Sequence, residues 1–184
     1  MKRDVILNLK KIDLSAAVDK KTFKDEINAL EKKLALLQRN ITEKKIPVII
    51  IFEGWGASGK GGRINDLILN FDPRCFKVCN TEHEEKTDDL YYMQPFWSNI
   101  PSNGRFTIFD RSWYYRVIYD RVDDKLSTDD KEQMFLLERT FQEILTFEQQ
   151  LADDGTIIIK FFLHISKKTQ KERFEKLKNN KSTA

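Results

Sequence analysis

Residues 47–62 read PVIIIFEGWGASGKGG, and this stretch restricts the fold of the chain more than any other. Residues 47–53 are a continuous apolar, β-branched run, the pattern of a strand buried on both faces. The segment 54–62 is glycine-dense, and its residues fit the spacing G-x-x-x-x-G-K. Ile64, Leu67, Ile68 and Phe71 then recur at helical spacing over residues 60–71, until Asp72-Pro73 stops the helix. Strand, glycine turn and helix in that order make an anion cradle. Glycines let backbone N–H groups curl around an anion without Cβ clashes. The helix that follows points its positive end at the same anion. Lys60 adds a mobile full charge for phosphate oxygens. The candidate phosphate-binding residues are therefore Gly54, Gly56, Ala57, Ser58, Gly59, Lys60, Gly61 and Gly62, with Arg63 in the first helical turn. A tight strand–helix turn with a surface lysine would use the same residues. Gly61 stands where a serine or threonine hydroxyl usually helps to hold Mg²⁺, so a metal needs another ligand.

The rest of the chain alternates strands with helices. Residues 1–20 are irregular and read as an N-terminal arm, leaving 21–184 as one domain. Thr22 with Asp25 three places on resembles a capping box. Phe23, Ile27, Leu30, Leu34 and Leu37 follow as the core-facing stripe of a helix over 22–40. Phe76–Cys79 and Phe106–Phe109 are short strand candidates, with a weaker helical pattern at 84–98 between them. A helix starts over 112–121. A long amphipathic one spans 128–152, with Met134, Leu137, Phe141, Ile144, Leu145 and Leu151 inward. Residues 156–163, TIIIKFFL, read as a second strongly buried strand, and 167–178 as a basic helix. This alternation implies an α/β fold, a parallel sheet flanked by helices on both faces.

Composition excludes several classes. The 184 residues are 40% hydrophobic and 33% charged, a globular balance that suits one domain. No apolar run approaches the ~18 residues of a membrane helix, and no signal-peptide pattern opens the chain. A cytoplasmic location is expected. A net charge of +3 is too weak to argue for nucleic acid as a partner. Cys75 and Cys79 read as lone thiols, since with two histidines the chain lacks the pattern of a zinc site. His83 and His164 read as structural.

A second acidic and basic pair follows the strand at 106–109: Asp110 and Arg111, within FDRSWYY. An aspartate at the C-terminal end of a neighbouring strand can reach the phosphate loop in this architecture. Asp110 is the candidate metal ligand, able to hold Mg²⁺ or to polarise an attacking oxygen. Arg111 can clamp a phosphate bidentately, and Arg116 lies five positions beyond it. A strand-end salt bridge between Asp110 and Arg111 is the plainer alternative. Lys160 sits in a buried-looking strand and so needs a partner. Lys167, Lys168, Lys171 and Arg173 together would give a positive channel for a long polyanion.

The blocks FEGWGASGKGG, IFDRSWYYRV and GTIIIKFFLHISKKTQKERFEKL, in that order and spacing, resemble the polyphosphate kinase 2 family from about Phe23 to Leu177. The resemblance implies a P-loop kinase fold similar to thymidylate kinase, with a mobile helical lid. It implies phosphoryl transfer between inorganic polyphosphate and a nucleotide, AMP or ADP, with Mg²⁺, in a homo-oligomer. Carried over, Gly59 and Lys60 contact the phosphate chain, Asp110 serves metal and chemistry, Arg111 holds phosphates, and Arg173 approaches the transferred group. Lys60, Asp110, Arg111 and Arg173 are then the catalytic set. Three departures stand out. Gly56 replaces the acidic residue of the family's loop, and Gln94-Pro95-Phe96-Trp97 lacks an expected arginine. Against the family pattern the chain ends at Ala184 with the lid and last strand incomplete, like one copy of a duplicated member. Two other readings stay open: a non-catalytic polyphosphate-binding or dimerising domain, and an ATP-dependent nucleotide kinase.

Overall fold

The structure, a computed structural model, describes residues 9–80, 92–119 and 130–179. Four strands form one sheet: β1 (Val48–Gly54), β2 (Phe76–Asn80), β3 (Phe106–Asp110) and β4 (Ile157–Leu163), in the order β2-β3-β1-β4. Every pairing is parallel, and the crossovers run through helices, as the alternating pattern requires. The helices are α1 (Lys20–Glu43), α2 (Lys60–Ile68), α3 (Gln94–Ser98), α4 (Tyr115–Tyr119), α5 (Asp130–Asp153) and α6 (Lys167–Asn179). Most of the helical pattern expected at 84–98 falls outside the described residues; its end is α3.

Strand alternation divides the core between the two faces of the sheet. Ile49, Ile51 and Phe109 point to one face and meet Phe96, Trp113, Ile144, Phe147 and Leu151. Trp113 is fully buried, edge-on to Phe96, Phe109 and Phe147. Val48, Ile50, Phe52 and Ile108 point to the other face and meet Ile64 and Phe71, with Leu34 and Ile41 of α1 packed alongside. All seven residues of β1 are buried, as a central strand should be. The register then fixes the site: Phe52 pairs with Asp110 on one side and Phe161 on the other, so the C-terminal ends of three strands finish level with the glycine turn.

Four expectations are corrected. Asp19, not Thr22, caps α1, accepting from the amides of Lys21 and Thr22, both at 3.0 Å. The α1 stripe is only partly on the core: Phe23, Leu30 and Leu37 are exposed. The polar Gln38 is buried instead, accepting from the amide of Asp72 at 2.9 Å and tying α1 to the turn after α2. On α5, Ile144 and Leu151 are buried as expected and Phe147 joins them, but Met134, Phe141 and Leu145 face outward. Finally, β4 stands at an edge of the described sheet. Its Ile157, Ile159, Phe161 and Phe162 are exposed, so hydrophobicity that reads as burial on both faces does not have it here. No helix among the described residues is long and apolar enough to cross a membrane.

Candidate functional site

The glycine turn takes a backbone path that its sequence prepares. Gly54 has φ +145, and a Cβ there would lie 2.4 Å from the carbonyl oxygen of Leu163, so only glycine lets β1 finish against β4. Gly59 has φ +98 at the mouth of α2. Between them Ala57 sits at φ +58, a left-handed position that costs a non-glycine residue about 1 kcal/mol or more. The amide of Ser58 closes the turn onto the carbonyl of Trp55 at 3.0 Å. The amides of Gly56, Ala57 and Gly59 have no backbone acceptor among the described residues. They and the first-turn amides of α2 are the donors a phosphate chain would take up. Lys60 opens α2, is buried, and holds its ammonium 3.1 Å from the carbonyl of Gly54.

Asp110 and Arg111 arrive beside this loop at the end of β3. The amide of Arg111 donates to the carbonyl of Phe52 at 3.1 Å, which fastens the turn after β3 to β1. Arg111 adopts φ +68 and places its guanidinium 5.7 Å from the ring centroid of Tyr115. A left-handed non-glycine residue on each side of the site is the local strain that functional turns often carry.

The loop has a roof that sequence inspection missed in detail. Helix α6 lies over it: Gln170 donates to the carbonyl of Gly56 at 3.0 Å, and Arg173 to those of Ala57 and Ser58 at 3.1 and 2.8 Å. A Cβ on Gly56 would come within 2.9 Å of Cζ of Phe174. Trp55 donates to Nδ1 of His164 at 2.8 Å, which ties the loop to the segment just after β4. Gln170 and Phe174 lie within the block GTIIIKFFLHISKKTQKERFEKL that carries the family resemblance, and the fold brings them back onto the loop across more than a hundred residues.

Glu53 was also missed, although it could have been noticed as the one carboxylate interrupting an apolar strand. It is 5% exposed, and its Oε1 accepts from the amide and hydroxyl of Ser112 at 2.7 and 2.8 Å. Burial raises its pKa against those bonds and the nearby charges of Lys60 and Arg111. Elsewhere the expected residues scatter. Arg63 is exposed and pairs with Asp66 along α2 at 2.8 Å. Arg116 lies on α4, with its side chain outside the described part. Lys160 does find its partner, in Glu148 of α5, and donates to the hydroxyl of Tyr114 at 2.8 Å. Glu148 in turn accepts from Trp113 and Tyr114. Cys75 and Cys79 are not joined by a disulfide.

The donor set can be tested against Mg²⁺. No group of three or more His, Cys, Asp or Glu side chains gathers among the described residues, which excludes a closed protein cage there. Mg²⁺ is ordinarily held by one or two carboxylates plus substrate phosphates and water. Asp110, at a strand end beside the phosphate loop, fits that mode of binding.

Three comparisons bear on the assembled site. The family model described as polyphosphate kinase 2 matches residues 17–183. A polyphosphate:AMP phosphotransferase of Pseudomonas aeruginosa is 37% identical over 171 residues, covering 91% of this chain and 33% of that protein. An NDP-polyphosphate phosphotransferase of Ruegeria pomeroyi is 33% identical over 160 residues, covering 86% of this chain and 51% of that protein. The crystal structure of a polyphosphate kinase 2 from Arthrobacter aurescens superposes with a TM-score of 0.83 at 26% identity, over 97% of this chain and 65% of that one. The chain thus spans about a third to a half of the curated relatives it matches.

Proposed function

The chain belongs to the polyphosphate kinase 2 family, and we propose that it moves a phosphoryl group between inorganic polyphosphate and a nucleotide, AMP or ADP. The observation that carries this reading is the open cradle of Gly56, Ala57 and Gly59 amides around Lys60, level with Asp110 and Arg111. Linked phosphates lie along the loop. Their negative charge takes up the free amides and draws the Lys60 ammonium off the carbonyl of Gly54. Arg111 holds phosphate oxygens from the other side, and Arg173, already on the loop, covers the transferred group. Arg63, exposed in the first turn of α2, adds positive charge near the loop. Asp110 would hold Mg²⁺, which supplies charge neutralisation between phosphates. In transfer to AMP, the bond between the terminal phosphorus and its bridging oxygen breaks. A new one forms to a phosphate oxygen of AMP, giving ADP and a chain shorter by one phosphate. The names of relatives include both AMP and nucleoside diphosphate acceptors, and AMP is the acceptor we favour.

A second reading has one observation in its favour. Gly56 brings no carboxylate to the loop, and the Phe174 ring lies against it. A domain of this kind could bind polyphosphate without turning it over. A homo-oligomer in the cytoplasm completes the proposal, and exposed apolar residues such as Leu30, Leu37 and Phe135 are what an interface would cover. The deciding assay incubates the protein with Mg²⁺, polyphosphate and AMP or ADP. ADP or ATP as product supports transfer. Binding without product supports the second reading, and transfer from ATP to dTMP would overturn both.

A further inference from the structure

Glu53 is a buried carboxylate that no step above uses. Its Oε1 receives both hydrogen bonds of Ser112, while Oε2 is buried with no hydrogen-bond partner among the described residues. The two groups join separate parts of the site. Glu53 is the residue before Gly54, so its backbone leads straight into the phosphate loop. Ser112 follows Arg111, and its carbonyl accepts from the amide of Tyr115 at the start of α4. Its hydroxyl also accepts from the amide of Tyr114 at 3.3 Å. A second tie fastens the same turn to β1, the bond from the amide of Arg111 to the carbonyl of Phe52. Arg111 needs such support, since its φ of +68 is not one it would hold unaided.

We propose that Glu53 is a positioning residue: through Ser112 it locks the Asp110–Arg111 turn against the phosphate loop, so that Arg111 meets a phosphate chain already seated on Lys60. This rests on the phosphate-chain reading of the site. The geometry favours a clamp over simple core filling. A buried carboxylate is costly, and an apolar side chain would fill the space more cheaply unless its acceptor were needed. Both bonds converge on one oxygen, which fixes the backbone and side chain of Ser112 together.

The test compares wild type, Glu53→Leu and Glu53→Gln. Two readouts apply: binding of a defined-length polyphosphate, and hydrogen exchange at the Ser112 amide. Glu53→Leu removes the acceptor at similar volume, and binding should weaken about tenfold or more, the scale of one charge-assisted contact misplaced. The Ser112 amide should exchange at least about tenfold faster, as a freed amide does. Glu53→Gln keeps an oxygen for Ser112 and should stay within about threefold of wild type in both readouts. Wild-type behaviour of Glu53→Leu overturns the proposal. So does a Glu53→Gln variant as weak as Glu53→Leu, because charge rather than the acceptor would then be at work. If Glu53→Leu fails to fold, Ser112→Ala deletes one of the two bonds; about threefold weaker binding supports the clamp and unchanged binding overturns it. If wild type binds no polyphosphate, the functional reading fails, and Ser112 exchange alone decides the clamp.

Discussion

Gly56→Asp puts a carboxylate on the phosphate loop, and the structure says what stands in its way. The new Cβ would lie 2.9 Å from Cζ of Phe174 and 3.7 Å from Nε2 of Gln170. A comfortable carbon–carbon contact needs about 3.5 Å, so the ring must retreat by roughly 0.6 Å. Phe174 is 44% exposed and meets the Cβ with its far edge, so it can swing toward solvent. The cost belongs at the low end of overpacking, about 1 kcal/mol, or a fall of about 2–4 °C in Tm for a chain of this size. Gly56 is not among the positive-φ residues, so no backbone strain is added. Phe174→Leu in the same background should remove the clash, and the two changes together should cost less than their sum. Turnover of polyphosphate and AMP with Mg²⁺ should rise in Gly56→Asp, by about tenfold or more if the carboxylate acts on developing charge, and further in the double variant. Thermal melts and a coupled assay for ADP measure both quantities. A Gly56→Asp protein as stable as wild type with no coupling to Phe174, or turnover unmoved in both variants, would refute the reasoning.

Other outcomes follow from the same packing. Phe147→Ala empties a site that touches Trp97 and Trp113 at 2% exposure, and should cost about 3–5 kcal/mol in denaturant melts. Gly104→Ala meets the carbonyl of Thr42 at 2.8 Å with φ +76, and should cost about 1–3 kcal/mol by the same measurement. Burial raises the folded pKa of Glu53, so the folded state holds its proton above pH 4.5 where the unfolded chain has released it. Stability should therefore fall as pH rises from 4.5 through that raised pKa, a slope that Glu53→Gln should flatten in Tm-against-pH curves. Asp72 works in the opposite sense. Its hydrogen bonds with Arg74 lower its pKa to about 2, so its contribution is present above pH 3.8 and lost as pH falls toward 2.

Much of this site could be read from the chain because its chemistry is local. The glycines that shape the loop, the lysine that opens α2 and the apolar run of β1 are consecutive, and each makes a backbone demand that few residues meet. The sheet was legible for the same reason, since strand and helix periods differ and alternate. Burial was less so. TIIIKFFL reads as core, yet β4 takes a place at the edge of the described sheet, and exposure there is decided by neighbours that periodicity does not name. Leu30 and Leu37 of α1 failed alike, because a stripe predicts a face and not how far the sheet beneath it extends. Asp19 was passed over for Thr22, since both residue types cap and only backbone geometry chooses between them. Glu53 was hidden inside a strand whose hydrophobicity drew the eye. Gln170 and Phe174 reach the loop only through tertiary contact, which no spacing in the sequence encodes.

Loop amides and one ammonium form the seat proposed for linked phosphates, and calorimetric titration with polyphosphate tests that seat directly. Wild type should bind with an affinity that falls as salt rises, and Lys60→Ala should bind about tenfold to a hundredfold more weakly while melting as a folded protein. Equal affinity of the two proteins, or no binding by wild type at low salt, would contradict it.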